Sequence, residues 1–520
     1  MPRVSIQQAF DAALQFYNAQ QFQEAQNVCQ QILAAQPDHA DTVHLIGVIT
    51  VQLGQAAAAI PLLQQAIRLN PQRADYYSNL AAAYLPQSDW LRAESAALAA
   101  LKLDPASGPA QNNLRGALSS LALERRLAGD WPAAIAALQR AVATVPNDVL
   151  RFDLANYRRE SGDLSSAQAD YLALCSSADN VIAASAAFNL AQFLREQQRF
   201  DDAEAALSLA LEKQPQFSLN QFHRAELRLA RGDLPAGFLD YEARLQLEMC
   251  TAKVPKFSGP LWTDQPLRGL RLLLTAEQGF GDTIQFSRYA RLLIDQQADV
   301  TLMVQPQLVR LLNQSGFRAI SPEDPLPPYE VQFPLMSLPA RLGTTLETIP
   351  PAEPFFQADS PEIAQWQTRL GETSAINVGL CLSGDVTQLQ NPHRAMAPAD
   401  VQPLLQSPRL RFVSLQIPPP AGLKETSVLD FTSELCDFAA TAALMSALDV
   451  IVTVDTSVAH LAGALGKRTF LMLSTKADWR WLRNRTDSPW YPTMRLFRQE
   501  TAGDWTPVVV AVREALREKS

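Results

Sequence analysis

The sequence predicts two fold classes in one chain of 520 residues: an α-solenoid of short helices, then an α/β region with two parallel sheets. Three observations predict this. A 34-residue step recurs in the first half, the composition changes near residue 250, and apolar strands then alternate with helices. A chain of this length exceeds one hydrophobic core. We expect an array at residues 1–250, a linker at 251–267, and α/β domains at 268–372 and 373–520.

The repeated positions of the first half hold residues that pack closely or end a helix. Two sets recur every 34 residues: Pro37, Pro71 and Pro105, and Ala25, Ala59 and Ala93. Alanine fits where two helices cross closely, and proline follows the end of the second helix. This period is the tetratricopeptide pattern, and about seven units follow it. Such arrays have a concave groove, which is either a binding surface for a protein or peptide, or part of a spacer or dimerisation arm.

Composition restricts the classes of function. The formal net charge of -9 offers no basic stripe, which argues against nucleic acid as a main partner. The five cysteines and five histidines form no metal or disulfide pattern, which suits a reducing compartment. The N-terminus lacks the apolar core of a signal peptide, and no apolar run is long enough to span a bilayer. We therefore expect a soluble cytoplasmic protein without a metal or resident cofactor.

Strands and helices alternate after a proline-rich linker in which Trp262 is expected to be exposed. In the first α/β domain we expect strands at residues 271–276 and 300–304 around a helix at 283–295. In the second we expect strands at 376–382, 410–415, 450–454 and 469–473, and a closing helix at 505–519. Alternation of this kind indicates parallel sheets covered on both faces, with a cleft between the two domains.

The turn after the first strand is the first candidate site. Gly279 and Gly281 let the backbone approach a ligand closely, and the helix that follows offers free N–H groups. Asp282 stands at the mouth of the cleft, where a carboxylate can accept a proton from an acceptor hydroxyl. The alternative is that Asp282 only caps the helix at Thr283.

The turn after the strand that ends at Val454 is the second candidate. Asp455, Thr456 and Ser457 are all good N-cap residues, and His460 lies in the first helical turn. A helix that starts at the carboxyl end of a parallel strand suits a phosphate. The alternative is a plain turn in which Asp455 caps the helix and His460 packs on the sheet.

Two further segments carry candidate ligands. The turn Ser383-Gly-Asp385 follows a strand, and Arg394 nearby has the planar fork that binds phosphate, although a solvated loop arginine is the alternative. Residues 478–492 contain three arginines and three tryptophans, which suit phosphate and a sugar or base: Arg480, Arg483, Arg485, Trp479, Trp481 and Trp490. The alternative is a packed lid whose arginines lie over the tryptophans. No Ser-His-Asp order, zinc pattern or Walker loop is present.

Four stretches together resemble the heptosyltransferase-like glycosyltransferases that follow tetratricopeptide arrays in bacterial proteins: residues 262–267, 277–289, 454–467 and 487–492. They span nearly the whole second half. The resemblance implies a GT-B fold of two Rossmann-like domains, acceptor-side first and nucleotide-sugar-binding second. It also implies an inverting, metal-independent sugar transfer to a hydroxyl. The array is similar to those of protein O-linked sugar transferases, which favours a protein acceptor by analogy.

The resemblance also implies roles for single residues. Asp282 falls on the proposed base, and Glu277 is the next candidate. The donor diphosphate falls on Asp455, Thr456, Ser457 and His460, with Ser457 in place of the usual glycine, and on Arg394. Contacts to the rest of the donor are expected from Ser383, Gln416 and Phe438, and contacts to acceptor or phosphate from Gln278, Arg480 and Trp490. Transfer to a glycolipid or saccharide, and a non-catalytic scaffold, stay open as alternatives.

Overall fold

The computed structural model describes residues 5–251, 259–350, 353–384, 391–418, 421–423 and 426–518. Seven residues of the predicted linker (252–258) and Asp385 lie outside these residues. The chain divides into two compact units, Met1–Pro215 and Gln216–Ser520, here called the first and second unit.

The first unit is a solenoid of six consecutive helix pairs. Its helices are α1 (Ile6–Asn18), α2 (Phe22–Ala35), α3 (Ala40–Gln52), α4 (Ala56–Leu69), α5 (Ala74–Tyr84), α6 (Trp90–Leu103), α7 (Gly108–Leu127), α8 (Trp131–Thr144), α9 (Asp148–Ser161), α10 (Leu164–Leu174), α11 (Asn180–Glu196) and α12 (Phe200–Lys213). The recurring Ala25, Ala59 and Ala93 are fully buried. Gly47 permits an equally close approach, since a Cβ there would lie 2.8 Å from Cδ2 of Leu63 on α4. Small residues at these positions therefore let paired helices pack closely.

A seventh helix pair, which the sequence pattern assigns to the array, is part of the second unit. It consists of α13 (Ser218–Arg231) and α14 (Leu234–Tyr241), followed by a 3₁₀ helix (Glu242–Gln246) and α15 (Glu248–Thr251). The sequence period groups this pair with the array. Its contacts group it with the α/β region instead, because buried side chains of α13 and α14 join the hydrophobic core of the sheets.

The rest of the second unit alternates strands and helices. The elements before residue 375 are β1 (Arg271–Thr275), α16 (Phe280–Asp295), β2 (Asp299–Met303), α17 (Pro306–Gln314), β3 (Ala319–Ile320), β4 (Val331–Pro334), α18 (Leu338–Arg341) and α19 (Ser360–Leu370). Those after it are β5 (Ile376–Cys381), α20 (Asn391–Arg394), α21 (Gln402–Leu405), β6 (Leu410–Ser414), α22 (Phe438–Ser446), β7 (Val450–Val454), α23 (Ser457–Ala464), β8 (Thr469–Leu473), β9 (Met494–Arg498) and α24 (Thr506–Ala515).

The strands form two parallel sheets, as the sequence predicts. The first has the order β3-β2-β1-β4 and the second β6-β5-β7-β8-β9, and the paired strands run parallel in both. β7 and β8 are buried at every position, which explains their predominantly apolar sequences.

The expectation for Trp262 is wrong. Its side chain is 6% exposed, because its backbone N–H donates to the carbonyl of Gln332 at 2.9 Å and extends the edge of the first sheet. The indole then packs against Phe333, and the guanidinium of Arg341 lies over it. The described end of the linker is therefore structured.

Candidate functional site

The candidate segments lie where the strand order of each sheet reverses. In the first sheet the chain passes from β1 to β2 on one side and returns to β4 on the other. In the second it passes from β5 to β6 and returns to β7. Ligands of open α/β sheets bind at such reversals, beyond the carboxyl ends of the strands. The turn that holds Asp282 follows β1, and the turns that hold Ser383 and Asp455 follow β5 and β7.

Asp282 lies inside the first turn of α16. The helix begins at Phe280, three residues before the predicted start, because Oδ2 of Asp282 accepts a hydrogen bond from the N–H of Gly279 at 2.8 Å and closes the turn. Oδ1 accepts a hydrogen bond from Nη2 of Arg480. Burial raises the pKa of Asp282 above its ordinary range, and Arg480 opposes this only in part. The side chain keeps 19% of its surface exposed.

Arg480 connects the two sheets. Besides Asp282, it donates from Nη1 to Asp478 and from Nε to Oε1 of Gln285, each at 2.8 Å. Its guanidinium lies 4.2 Å from the ring centre of Trp479. It is 6% exposed, and the two carboxylates Asp478 and Asp282 hold its pKa above the ordinary value although burial alone lowers it. Arg480 is therefore a charged link between α16 and the segment after β8.

The turn between β7 and α23 has the expected N-cap. The hydroxyl of Thr456 accepts a hydrogen bond from the N–H of Val458 at 3.2 Å, so Thr456 is the N-cap and Ser457 the first helical residue. Asp455 is 8% exposed and does not provide the cap. Burial, followed by repulsion from Asp478, raises the pKa of Asp455 from 3.8 to about 6. Buried carboxylates with a raised pKa are common at functional sites, so this turn is a candidate for one.

His460 is buried at the contact between α23 and α16. Its ring stacks on Trp481 at 5.1 Å, and Nδ1 lies 3.0 Å from the hydroxyl of Tyr491. A Cβ on Gly281 would lie 2.7 Å from Cδ2 of His460, so only glycine fits there. Burial, then the positive charges of Arg480, Arg288 and Arg394, holds the pKa of His460 well below its usual range. Burial and these three positive charges together favour the neutral imidazole.

The turn after β5 is organised by Gln416. Its Oε1 accepts hydrogen bonds from the backbone N–H groups of Leu382 and Ser383, both at 3.0 Å, and its Nε2 donates to the hydroxyl of Ser383 at 2.7 Å. Arg394 lies against the same turn, since a Cβ on Gly384 would meet its Nη2 at 2.8 Å. The structure therefore brings Ser383, Gln416 and Arg394 together at the end of β5.

Three other residues that the sequence predicts as ligand contacts differ in how they are packed. Phe438 begins α22 and packs on Phe280 at 4.9 Å. The carbonyl of Gln278 accepts a hydrogen bond from Gln305 at 2.9 Å. Trp490 is fully buried, and its ring faces Phe286 and other aromatic rings, not an open surface.

Glu277 lies in a buried ion pair that the sequence does not reveal. Nε and Nη2 of Arg244 donate to its two carboxylate oxygens at 2.8 and 2.9 Å. Arg244 comes from the 3₁₀ helix after α14. Arg288 is another residue without an assigned role: it is 3% exposed, and its guanidinium lies 4.8 Å from the ring centre of Tyr491. It lies within a stretch that carries the family resemblance, but neither arginine stands out by spacing.

The described residues contain neither a cluster of metal ligands nor a helix suited to span a membrane. No group of three or more His, Cys, Asp or Glu side chains in that part of the chain is arranged to hold a metal ion. None of the helices described there is both long and apolar enough to cross a bilayer.

Comparison with known proteins identifies the repeats. Residues 47–88 match the model described as TPR repeat, and residues 152–217 match the one described as tetratricopeptide repeat. The N-terminal half contains tetratricopeptide repeats. The second match ends two residues beyond the boundary between the two units.

Relatives outside the repeat models are distant. The protein FlbA of Caulobacter vibrioides is 27% identical over 352 residues, covering 58% of this chain and 55% of FlbA. The chain thus spans about half the length of this curated relative. Among solved structures, the TPR protein YrrB, described as having an unusual peptide-binding site, is 16% identical with a TM-score of 0.28, covering 38% of this chain and 97% of YrrB. The C-terminal part of a TPR repeat-containing protein from Cytophaga hutchinsonii is 11% identical with a TM-score of 0.35, covering 46% and 94%.

Proposed function

We propose that this chain is an inverting, metal-independent glycosyltransferase with a GT-B arrangement, which moves a sugar from a nucleotide sugar to a hydroxyl. One observation carries the proposal. A part-exposed carboxylate, Asp282, stands at the reversal point of one parallel sheet, and a helix start with nearby cations stands at the reversal point of the other. The contact of Gly281 with His460 brings the two helix starts together.

Asp282 suits the role of general base. Each of its oxygens accepts one hydrogen bond, from Gly279 and from Arg480, and an ionised carboxylate oxygen retains capacity for another. The raised pKa makes the carboxylate a better proton acceptor than an exposed aspartate. In the proposed reaction the acceptor hydroxyl transfers its proton to Asp282 while its oxygen attacks the anomeric carbon. The bond from that carbon to the nucleoside diphosphate breaks, and the diphosphate leaves with the electron pair.

The start of α23 suits the leaving group. The first turn of a helix presents N–H groups and a positive dipole end, which stabilise a phosphate. Arg480, Arg288 and Arg394 supply positive charge near His460, and Arg480 is also paired with Asp282 and Asp478. Fixed charges of this kind stabilise negative charge that develops in a transition state. The tetratricopeptide repeats favour a protein as the acceptor of the sugar, since such arrays commonly present concave protein-binding surfaces.

The proposal is tested on the full chain with UDP, ADP and GDP. We expect one of them to raise the melting temperature of the second unit, because a ligand that binds the folded state stabilises it by mass action. The matching nucleotide sugar is then assayed for transfer. Asp282→Asn should keep the thermal shift and lower the rate on the order of 10²–10⁴-fold, the usual contribution of a general base.

Asp295→Asn is the matched control, because Asp295 is an exposed residue at the other end of the same helix. It should transfer sugar at the wild-type rate. Wild-type transfer by a folded Asp282→Asn protein would remove Asp282 as the base. Absence of a shift with all three nucleotides would favour the non-catalytic scaffold.

A further inference from the structure

The guanidinium of Arg244 is fully occupied inside the second unit. It has five N–H groups, and each has an acceptor. Two donate to Glu277, and one donates to the hydroxyl of Ser337 at 2.7 Å. The remaining two donate to Glu242 at 2.6 Å and to the carbonyl of Tyr241 at 3.3 Å. The Arg244 side chain is 0% exposed, and that of Glu277 is 2% exposed.

This network fixes Glu277, the residue at which the first candidate turn begins. Glu277 is two residues beyond β1, and the turn that leads to Asp282 follows it directly. Oε1 of Glu277 also accepts a hydrogen bond from the N–H of Met336, just beyond β4, at 3.4 Å. Ser337 in turn donates to Glu242 at 2.8 Å. Arg244 therefore ties together the ends of β1 and β4, which are the two strands at the reversal point.

The same helix pair also contacts the second candidate segment. Phe238 and Tyr241 on α14 pack edge-on against Trp479, at 5.7 and 5.9 Å between ring centres. The N–H of Arg483 donates to the carbonyl of Ala230 on α13 at 3.0 Å. The helix pair thus packs against the segment that carries Arg480, the partner of Asp282.

We propose that Arg244 is a positioning residue of the transfer site, which fixes the turn from Glu277 to Asp282 through its five hydrogen bonds. This inference rests on the function proposed above. It assigns Glu277 an anchoring role, because one guanidinium already engages both of its oxygens. It also makes the 3₁₀ helix that follows the last helix pair a component of the site itself. A small displacement of a reacting group is enough to lower a rate about 10²-fold.

The test separates positioning from simple stabilisation. Arg244→Met leaves the buried carboxylate of Glu277 without its charge partner, and Glu277→Met leaves the buried guanidinium of Arg244 with Glu242 but without Glu277, so both should unfold at lower urea concentration. The double variant removes both charges and should recover much of the lost midpoint. We expect its kcat to be about 10²-fold below wild type with little change in KM, and its amides between residues 276 and 285 to exchange hydrogen faster.

Arg271→Met with Glu330→Met is the matched control, since this pair lies on the first sheet and both side chains are 49% exposed. It should change neither kcat nor exchange at residues 276–285. A folded double variant of Arg244 and Glu277 with wild-type kcat and wild-type exchange would overturn the inference. If that variant does not fold, Arg244→Lys carries the same test, because lysine keeps the charge and loses the fork.

Hydrogen exchange distinguishes the two proposals. Suppose that the wild-type chain neither binds the nucleotides nor transfers sugar, while the double variant still exchanges its amides at residues 276–285 faster than wild type. This result would remove the proposed function and retain the anchoring of the turn. Transfer by wild type together with unchanged exchange and kcat in the variant would remove the role of Arg244 alone.

Discussion

Replacing Asp455 with asparagine should stabilise the protein at neutral pH. Asp455 is 8% exposed, and its pKa rises from 3.8 to about 6 through burial and then repulsion from Asp478. At pH 7 the side chain is ionised in both the folded and unfolded states, so folding carries the cost of burying that charge. A rise of this size corresponds to about 3 kcal/mol. Asparagine has a similar shape and no charge, so Asp455→Asn should recover up to this amount.

The stability gained by Asp455→Asn should depend on pH. Between about pH 4 and pH 6 the folded state holds a proton on Asp455 that the unfolded state has released. The contribution of Asp455 to stability is therefore present below pH 4 and is lost as the pH rises through 6. The advantage of Asp455→Asn should be absent near pH 4, grow up to pH 6 and stay constant above it.

Urea unfolding of wild type and Asp455→Asn between pH 4 and pH 8, followed by tryptophan fluorescence, measures this difference. Asp295→Asn, with its exposed side chain, should give a difference close to zero at every pH. A variant that is less stable than wild type at pH 7, or a difference that does not change with pH, would refute the reasoning. A carboxylate that lowers stability in this way is typical of sites selected for activity.

Two further predictions concern packing and the imidazole. Gly116→Ala in α7 should raise the free energy of unfolding by about 0.5–1 kcal/mol, since the nearest atom to its Cβ is 3.9 Å away. Gly47→Ala in α3 should lower it by about 1–3 kcal/mol, because its Cβ would clash with the buried Leu63; equal effects in urea unfolding would contradict this. Wild type should lose stability as the pH falls below about 6.5, because His460 takes up a proton in the unfolded state but stays neutral when buried. His460→Gln should lack this loss. The imidazole nitrogen shifts should show neutral His460 at pH 6, and a protonated ring there would be contrary evidence.

The buried strands and the repeat period were the parts of this fold that the sequence could predict. β7 and β8 have the predicted bounds, since burial at every position leaves sequences that are apolar apart from Thr453 and Thr469. The start of α16 was missed, since Gly279 and Gly281 are poor helix formers and the hydrogen bond from Gly279 to Asp282 compensates for them. Local patterns do not report such compensation.

Long-range partners explain the remaining differences. The ion pair of Asp282 with Arg480 joins residues 198 positions apart, and that of Glu277 with Arg244 joins residues 33 apart. Spacing along the chain gives no sign of either. For Trp490, the residue type suggests a stacking surface, but only the packed structure shows that its ring is covered. The catalytic and donor-binding roles themselves stay predictions.

The division of the chain after Pro215 has a consequence for how such proteins can change over time. The helix pairs before this point form a compact unit of their own, so gain or loss of a pair there would change the length of the array. The pair α13–α14 contributes Phe238 to the core of the sheets, and the 3₁₀ helix that follows the pair contributes Arg244. The pair should therefore be inherited together with the sheets, whereas the preceding repeats are free to vary in number.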